Sequence, residues 1–340
     1  MSAGQTCLIP GPIGDTPPCY GTLTADAGVL TTTTGPRYPD PMSGLLRSTL
    51  TRSRAAAGVV AIAAVATTSC SASSNADSSH PAAGSSSKAA PPGTVHVLYA
   101  GSLVNLMEHD LGPKFAKASG AKYEGYGAGS TQVAKEITGK VHSGDVFISA
   151  DPDVNNDLEG AKNGNYVNWY VTFAKAPLLI GYNPKSKFAH DLKTKPWYDV
   201  ITESGIRVGR TDPTLDPKGK LTAQAFEQAA KKSGHSDFAS KVEKSVAVYP
   251  EETLVGRLQS GQLDAGFFYA NEAEEQHIPT VGLGSIKLSA TYTVSALNHA
   301  KNPSSGLAFV EYLLGPQGKQ ILTQHGLTVV PYTAGGDKKD

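Results

Sequence analysis

Apolar and polar positions follow two rhythms along this chain, and the change from one to the other recurs between residues 94 and 331. Val95, Val97 and the Leu98–Tyr99 pair form a short β-rich run, which predicts a strand. Leu103, Leu106 and Met107 then fall at helical spacing, with the small residues Ala100, Gly101 and Ser102 forming a tight turn between. The same order repeats: a strand over 121–126, the turn Gly127-Ala128-Gly129-Ser130-Thr131, and a helix through Val133, Ile137 and Val141. A third strand is predicted over 146–148. Asp151 and Asp153 start the next helix, where a carboxylate on the helix dipole accounts for them without a metal.

Residues 168–183 read as two extended runs joined at 175–177, a form that suits a hinge. Segments 197–201 and 207–210 predict a further strand, leading through the loop 211–219 to a helix over 221–232. A strand at 246–249 precedes a helix opened by Pro250, with Glu251 and Glu252 in its first turn and Leu254 and Leu258 on its apolar side. A buried strand over 265–270 contains Tyr269. A helix over 307–324 breaks at Gly315-Pro316 and stops at Gly326, before an extended stretch at 327–330.

This alternation predicts an α/β fold with mostly parallel sheets. Turns after neighbouring parallel strands lie side by side at the carboxyl ends, where ligands of open α/β sheets bind. Ser102 and Ser130, each beside the free backbone N–H groups of a helix start, are therefore expected to face one anion. Either serine alone also suits a plain helix cap. On capping grounds Glu252 is structural, and a tyrosine such as Tyr269 at a strand end is half-buried core.

The beginning of the chain follows other rules. Residues 1–41 have no apolar periodicity and are expected to be disordered. From Met42, the basic residues Arg47, Arg52 and Arg54, the apolar stretch 55–66 and small residues ending at Cys70 have the layout of a secretory signal peptide over 42–70. Translation is accordingly expected to start at Met42. Cys70 resembles the cysteine that receives a lipid in bacterial lipoproteins, although Thr67 stands where an apolar residue is usual, so simple cleavage is the alternative. A Ser/Ala/Pro tract over 71–93 is expected to be a flexible tether.

Composition narrows the function classes. Lys and Arg total 30, as do Asp and Glu, and this balance argues against a nucleic-acid partner. No apolar run is long enough to span a bilayer as a resident helix. The cysteines, Cys7, Cys19 and Cys70, all precede the body, which therefore has no disulfide and no thiolate metal site. His96, His109, His142, His190 and His277 lack metal-ligand spacing, and nucleophile, zinc-protease and phosphate-loop motifs are missing. Binding without catalysis is expected, with no cofactor.

A family resemblance rests on Tyr99-Ala100-Gly101-Ser102-Leu103, Ala128-Gly129-Ser130, Asp145-Val146, Phe173-Ala174, Gly209-Arg210-Thr211-Asp212-Pro213 with Asp216-Pro217, Ser260-Gly261, and Gly315-Pro316-Gln317-Gly318. Together these resemble the molybdate/tungstate-binding proteins of ABC importers over nearly all of 94–330, closest to the tungstate/molybdate branch known from archaea. The Gly-Pro-Gln-Gly break is shared by many type II periplasmic binding proteins, whereas the paired A-G-S turns are more specific to this ligand.

The resemblance implies a type II periplasmic-binding-protein fold, two lobes joined by an extended hinge. Lobe 1 would hold 94–176 and 280–332, lobe 2 would hold 177–279, and 333–340 would be a tail. It implies an exported monomer, periplasmic or lipid-anchored to the outer face of the cytoplasmic membrane, that closes on molybdate or tungstate and delivers it to an ABC permease. Carried over by position, Ser102 and Ser130 bind oxygens from lobe 1, while Asp216, Glu252 and Tyr269 approach from lobe 2 with a backbone N–H near Lys218. Asp212 and Glu251 stand as register alternatives, and Lys218-Gly219-Lys220 departs from the family's pattern.

In this reading Asp216 and Glu252 ligate the hexavalent metal itself, which accepts extra hard oxygen donors where the sulfur of sulfate does not. Competing readings are a receptor for phosphate, sulfate or ferric iron, a sensor, and a hydrolase using Asp216 and Glu252 as acid and base.

Overall fold

The computed structural model describes residues 93–234 and 236–336. The expectations for 1–41, for the signal peptide with Cys70, for the tether apart from Gly93, and for 337–340 lie outside the described residues.

From β1 (Thr94–Ala100) the chain passes into a continuous helical stretch: a 3-10 turn at Gly101–Leu103, α1 (Val104–Leu106), a π-helical turn at Met107–Leu111, and α2 (Gly112–Ser119). β2 (Lys122–Ala128), α3 (Ser130–Thr138) and β3 (Val146–Ser149) follow, and then the long β4 (Trp169–Tyr182). Next come α4 (Ala189–Thr194), α5 (Trp197–Val200), β5 (Val208–Arg210), α6 (Pro217–Ser233), α7 (Phe238–Ser245) and β6 (Ala247–Val248). α8 (Glu251–Gln259), β7 (Ala265–Tyr269), α9 (Ala270–Glu275), β8 (Thr280–Val281), β9 (Ser289–Ala296), α10 (Pro303–Leu314), α11 (Pro316–Gln324) and β10 (Thr328–Gly336) complete the described residues.

Two sets of parallel strands carry the architecture. β1 lies between β2 and β3, with Ala100 opposite Ala128 and Tyr99 opposite Ile148, so the turns leaving these strands share one edge. β5 pairs in parallel with β6 and β7, which brings the ends of those strands together in the same way. Every pairing of β4 and β9 is antiparallel. The sheet is thus mixed rather than mostly parallel: parallel order holds within the βα units, and the return strands run against it.

Both faces of the parallel strands are covered, which is why they read as continuous apolar runs. Val95, Val97 and Tyr99 face Leu106, Phe115 and Phe309, while Leu98 joins Val133, Ile137 and Phe147 on the other face. In β7, Phe267 packs with Trp197 and Phe226, and Phe268 with Leu254, Leu258 and Leu263.

Several local expectations change. Residues 168–183 do not break into two runs: β4 is one strand that pairs with β9 and β10 along its first part and with β7 and β8 along its second. Pro177 sits opposite Ser289, one residue before Leu178 pairs with Tyr269, so its missing N–H falls where one partner set gives way to the next. Residues 197–200 form α5 rather than strand, because Trp197, Val200 and Ile201 are buried at helical spacing. The expected tail is strand as far as Gly336, which pairs with Trp169.

Candidate functional site

The first half of the site is built on the turns after β1, β2 and β3. Ser102 is buried in the 3-10 turn after β1, where its hydroxyl shares a 2.9 Å hydrogen bond with the Tyr292 hydroxyl of β9. The Asn271 side-chain amide donates to the Ser102 carbonyl oxygen at 2.9 Å. Ser130, buried at the start of α3, accepts the Ala150 N–H at 3.1 Å, which ties the turn after β2 to the end of β3. With a lone pair so engaged, the Ser130 O–H remains a donor. Asp151 caps the following 3-10 turn by accepting the Asp153 N–H, as the sequence led one to expect.

The second half is built on helix starts after β5, β6 and β7. Asp216 is the N-cap of α6, Glu251 is the first residue of α8 and Glu272 lies in the first turn of α9; all three are buried. Helix N-termini favour carboxylates. Asp216 Oδ1 accepts the Lys218 N–H at 2.8 Å, while its buried Oδ2 has no hydrogen-bond partner. Tyr269 is fully buried, its hydroxyl also without a partner.

Lys218, with 0 % exposure, holds this half together. Its Nζ lies 3.0 Å from Glu251 Oε1 and 3.0 and 2.8 Å from the two Glu272 oxygens. Glu251 Oε2 packs against the Cα of Gly101, so closely that a β-carbon at that position would collide with it. One glutamate therefore spans from the lysine to the first serine turn.

The electrostatics follow from burial. Loss of solvent, and next the charge of Glu251, push the Asp216 carboxyl up to about 8. Burial likewise raises Glu272 against the opposing pull of Lys218. For Lys218 burial works against the charge, but Glu251 and Glu272 outweigh it and hold the ammonium protonated. The phenols of Tyr269 and Tyr292 are raised well above their ordinary value, first by burial and further by the surrounding carboxylates, so both stay neutral.

Contacts also cross the expected lobe boundary. Gln132 N–H donates to the Leu215 carbonyl at 2.9 Å, Lys135 Nζ to the Thr214 carbonyl at 3.0 Å, and Lys220 Nζ lies 2.8 Å from Asp151. His325 bridges Glu275 at 2.6 Å and Asp110 at 3.1 Å.

Of the sequence-predicted residues, Ser102, Ser130, Asp216 and Tyr269 lie at these converging ends. Glu252 does not: it is exposed on α8, and its register alternative Glu251 faces inward. Asp212 is spent on its own turn, accepting the N–H and hydroxyl of Thr214 at 2.7 Å each, which leaves the buried position to Asp216. The Lys218 side chain, Glu272, Asn271 and Tyr292 escaped the sequence reading. A signal existed for Glu251, which shares the face of Leu254 and Leu258 at i, i+3 and i+7. None existed for Tyr292, which arrives from a distant strand.

Comparisons with known proteins bear on the family and the fold. A molybdate/tungstate-binding protein, WtpA, of Thermococcus kodakarensis is 25% identical over 289 residues, covering 68% of this chain and 81% of its own. A solute-binding protein of Petrotoga mobilis is 26% identical over 234 residues, 58% of this chain and 72% of its own. The periplasmic molybdate-binding protein of Azotobacter vinelandii superposes with a TM-score of 0.55 at 18% identity, over 70% of this chain and 99% of its own. The fold is that of type II periplasmic binding proteins. Residues 95–328 match the profile of bacterial extracellular solute-binding proteins, and the chain belongs to that family.

Proposed function

We propose that the protein captures molybdate or tungstate outside the cytoplasm and hands it to an ABC permease, acting as a receptor without turnover and without a cofactor. The observation that carries this reading is the convergence of buried hard-oxygen groups: the Asp216 and Glu251 carboxylates with the hydroxyls of Ser102, Ser130 and Tyr269. Asp216 Oδ2 and Tyr269 Oη, buried and without partners, are the places a ligand would satisfy. Carboxylates repel a dianion unless they bind its central atom, and Mo or W takes extra oxygen ligands. Glu251 replaces Glu252 in this role.

The relatives named for molybdate and tungstate support the same ligand. In the ligand-free protein the surroundings of Tyr269 and Tyr292 keep both phenols neutral, and neutral phenols can donate to an oxyanion. Capture is by closure of lobe 1 (94–176 and 280–332) on lobe 2 (177–279), with a lipid on Cys70 tethering a monomer at the membrane.

Calorimetric titration tests the reading. Tungstate and molybdate should bind stoichiometrically and sulfate should give no heat, with Ser130→Ala weakened and Glu251→Gln weakened by about 100-fold, the scale of losing a buried charged ligand. Binding of phosphate or iron, with no heat from tungstate or molybdate, would refute it.

A further inference from the structure

We propose that Lys218 is a positioning residue that sets the charge of the site, holding Glu251 and Glu272 in place so that a dianion is accepted. The proposal rests on the oxyanion reading above and goes beyond it, since the lysine departs from the family pattern that the sequence resembles.

The ammonium has three N–H donors, and three carboxylate oxygens surround it: Glu251 Oε1 at 3.0 Å and the Glu272 oxygens at 3.0 and 2.8 Å. Two of these contacts, to Glu272, are hydrogen bonds and the third, to Glu251, is an ion pair. Lys218 therefore acts through the glutamates, and its contact with Glu251 uses one oxygen only. The other, Oε2, is turned towards Gly101, beside the Ser102 turn. Removing the ammonium would free Glu251 to rotate and leave two buried carboxylates face to face without the cation between them.

Charge balance points the same way. Asp216, Glu251 and Glu272 are the buried carboxylates that face Lys218, and they come from α6, α8 and α9. Lys218 offsets one of these three carboxylates beside the incoming dianion, and without it that offset is lost.

A buried ion pair that merely supports the fold would predict something different, and compensating substitutions separate the two. Tungstate affinity of the full chain would be measured by calorimetry at about pH 8 for wild type, K218M, E272Q and K218M/E272Q, with circular dichroism to verify folding. Lys218→Met should weaken binding by about 30-fold. Adding Glu272→Gln to it should restore about tenfold. If Lys218→Met does not fold, Glu272→Gln alone decides: removal of one negative charge should tighten binding at about pH 8, and weakening overturns the proposal.

A double variant no tighter than K218M overturns the role of Lys218 and leaves the ligand reading intact. Wild type that binds phosphate or sulfate but neither tungstate nor molybdate overturns the ligand reading, and the same series on that anion then decides Lys218. Wild type that binds none of these anions overturns both.

Discussion

Asp216 divides its carboxylate between two tasks. Oδ1 accepts the Lys218 N–H and closes the N-terminus of α6, while Oδ2 is left buried without a partner. Burial, followed by the neighbouring Glu251, moves the acid from an ordinary 3.8 up to about 8. In the ligand-free protein the carboxyl therefore keeps its proton up to about that pH. The unfolded chain releases this proton near pH 4 and the folded chain keeps it, so stability falls as pH rises from about 4 towards 8, by up to about 1.4 kcal/mol per pH unit for one proton. Denaturant unfolding of the ligand-free protein between about pH 5 and 7 should show this slope, and Asp216→Asn should flatten it. An unchanged slope in the variant would mean that Asp216 is ionised in the folded state.

At the scale of elements, α8 illustrates what was legible. Its apolar stripe, Leu254 and Leu258, was visible in the sequence, and extending that stripe backwards by one turn reaches Glu251 rather than Glu252. The family resemblance points one residue away, to Glu252, because motif position alone does not say which face of α8 is buried. The serine turns were legible for a different reason: strand, turn and helix there are contiguous, so local periodicity locates them. Lys218, Glu272 and Tyr292 meet from α6, α9 and β9, and no local pattern reports such a meeting. In sequence β4 reads as two runs because Pro177 looks like a break, whereas it marks a change of partners within one strand. The fit of α8 against the first turn gives a direct prediction. Gly101→Ala should push Glu251 away from its place and weaken tungstate binding by about tenfold or more, with the thermal midpoint little changed, since the φ of a 3-10 turn tolerates alanine. Unaltered affinity in that variant would show that Glu251 need not reach the Ser102 turn.

Across the whole molecule, β4 carries both halves, and the ends of both parallel strand sets meet at one cluster of oxygens. The hydrogen bonds from Asn271 to Ser102 and from Gln132 to Leu215 hold those ends in contact, in an arrangement that a ligand bridging the same turns would favour by its differential affinity. Capture then depends on a single chemical claim: carboxylate oxygen from Asp216 or Glu251 joins the coordination shell of the metal. X-ray absorption at the tungsten edge of the tungstate-loaded protein addresses that claim directly. The account predicts more than four oxygen neighbours, approaching about six, with the added ones at longer distance and lost in Glu251→Gln. Four equal short W–O bonds, unchanged in the variant, would contradict it and reduce the site to hydrogen bonding alone.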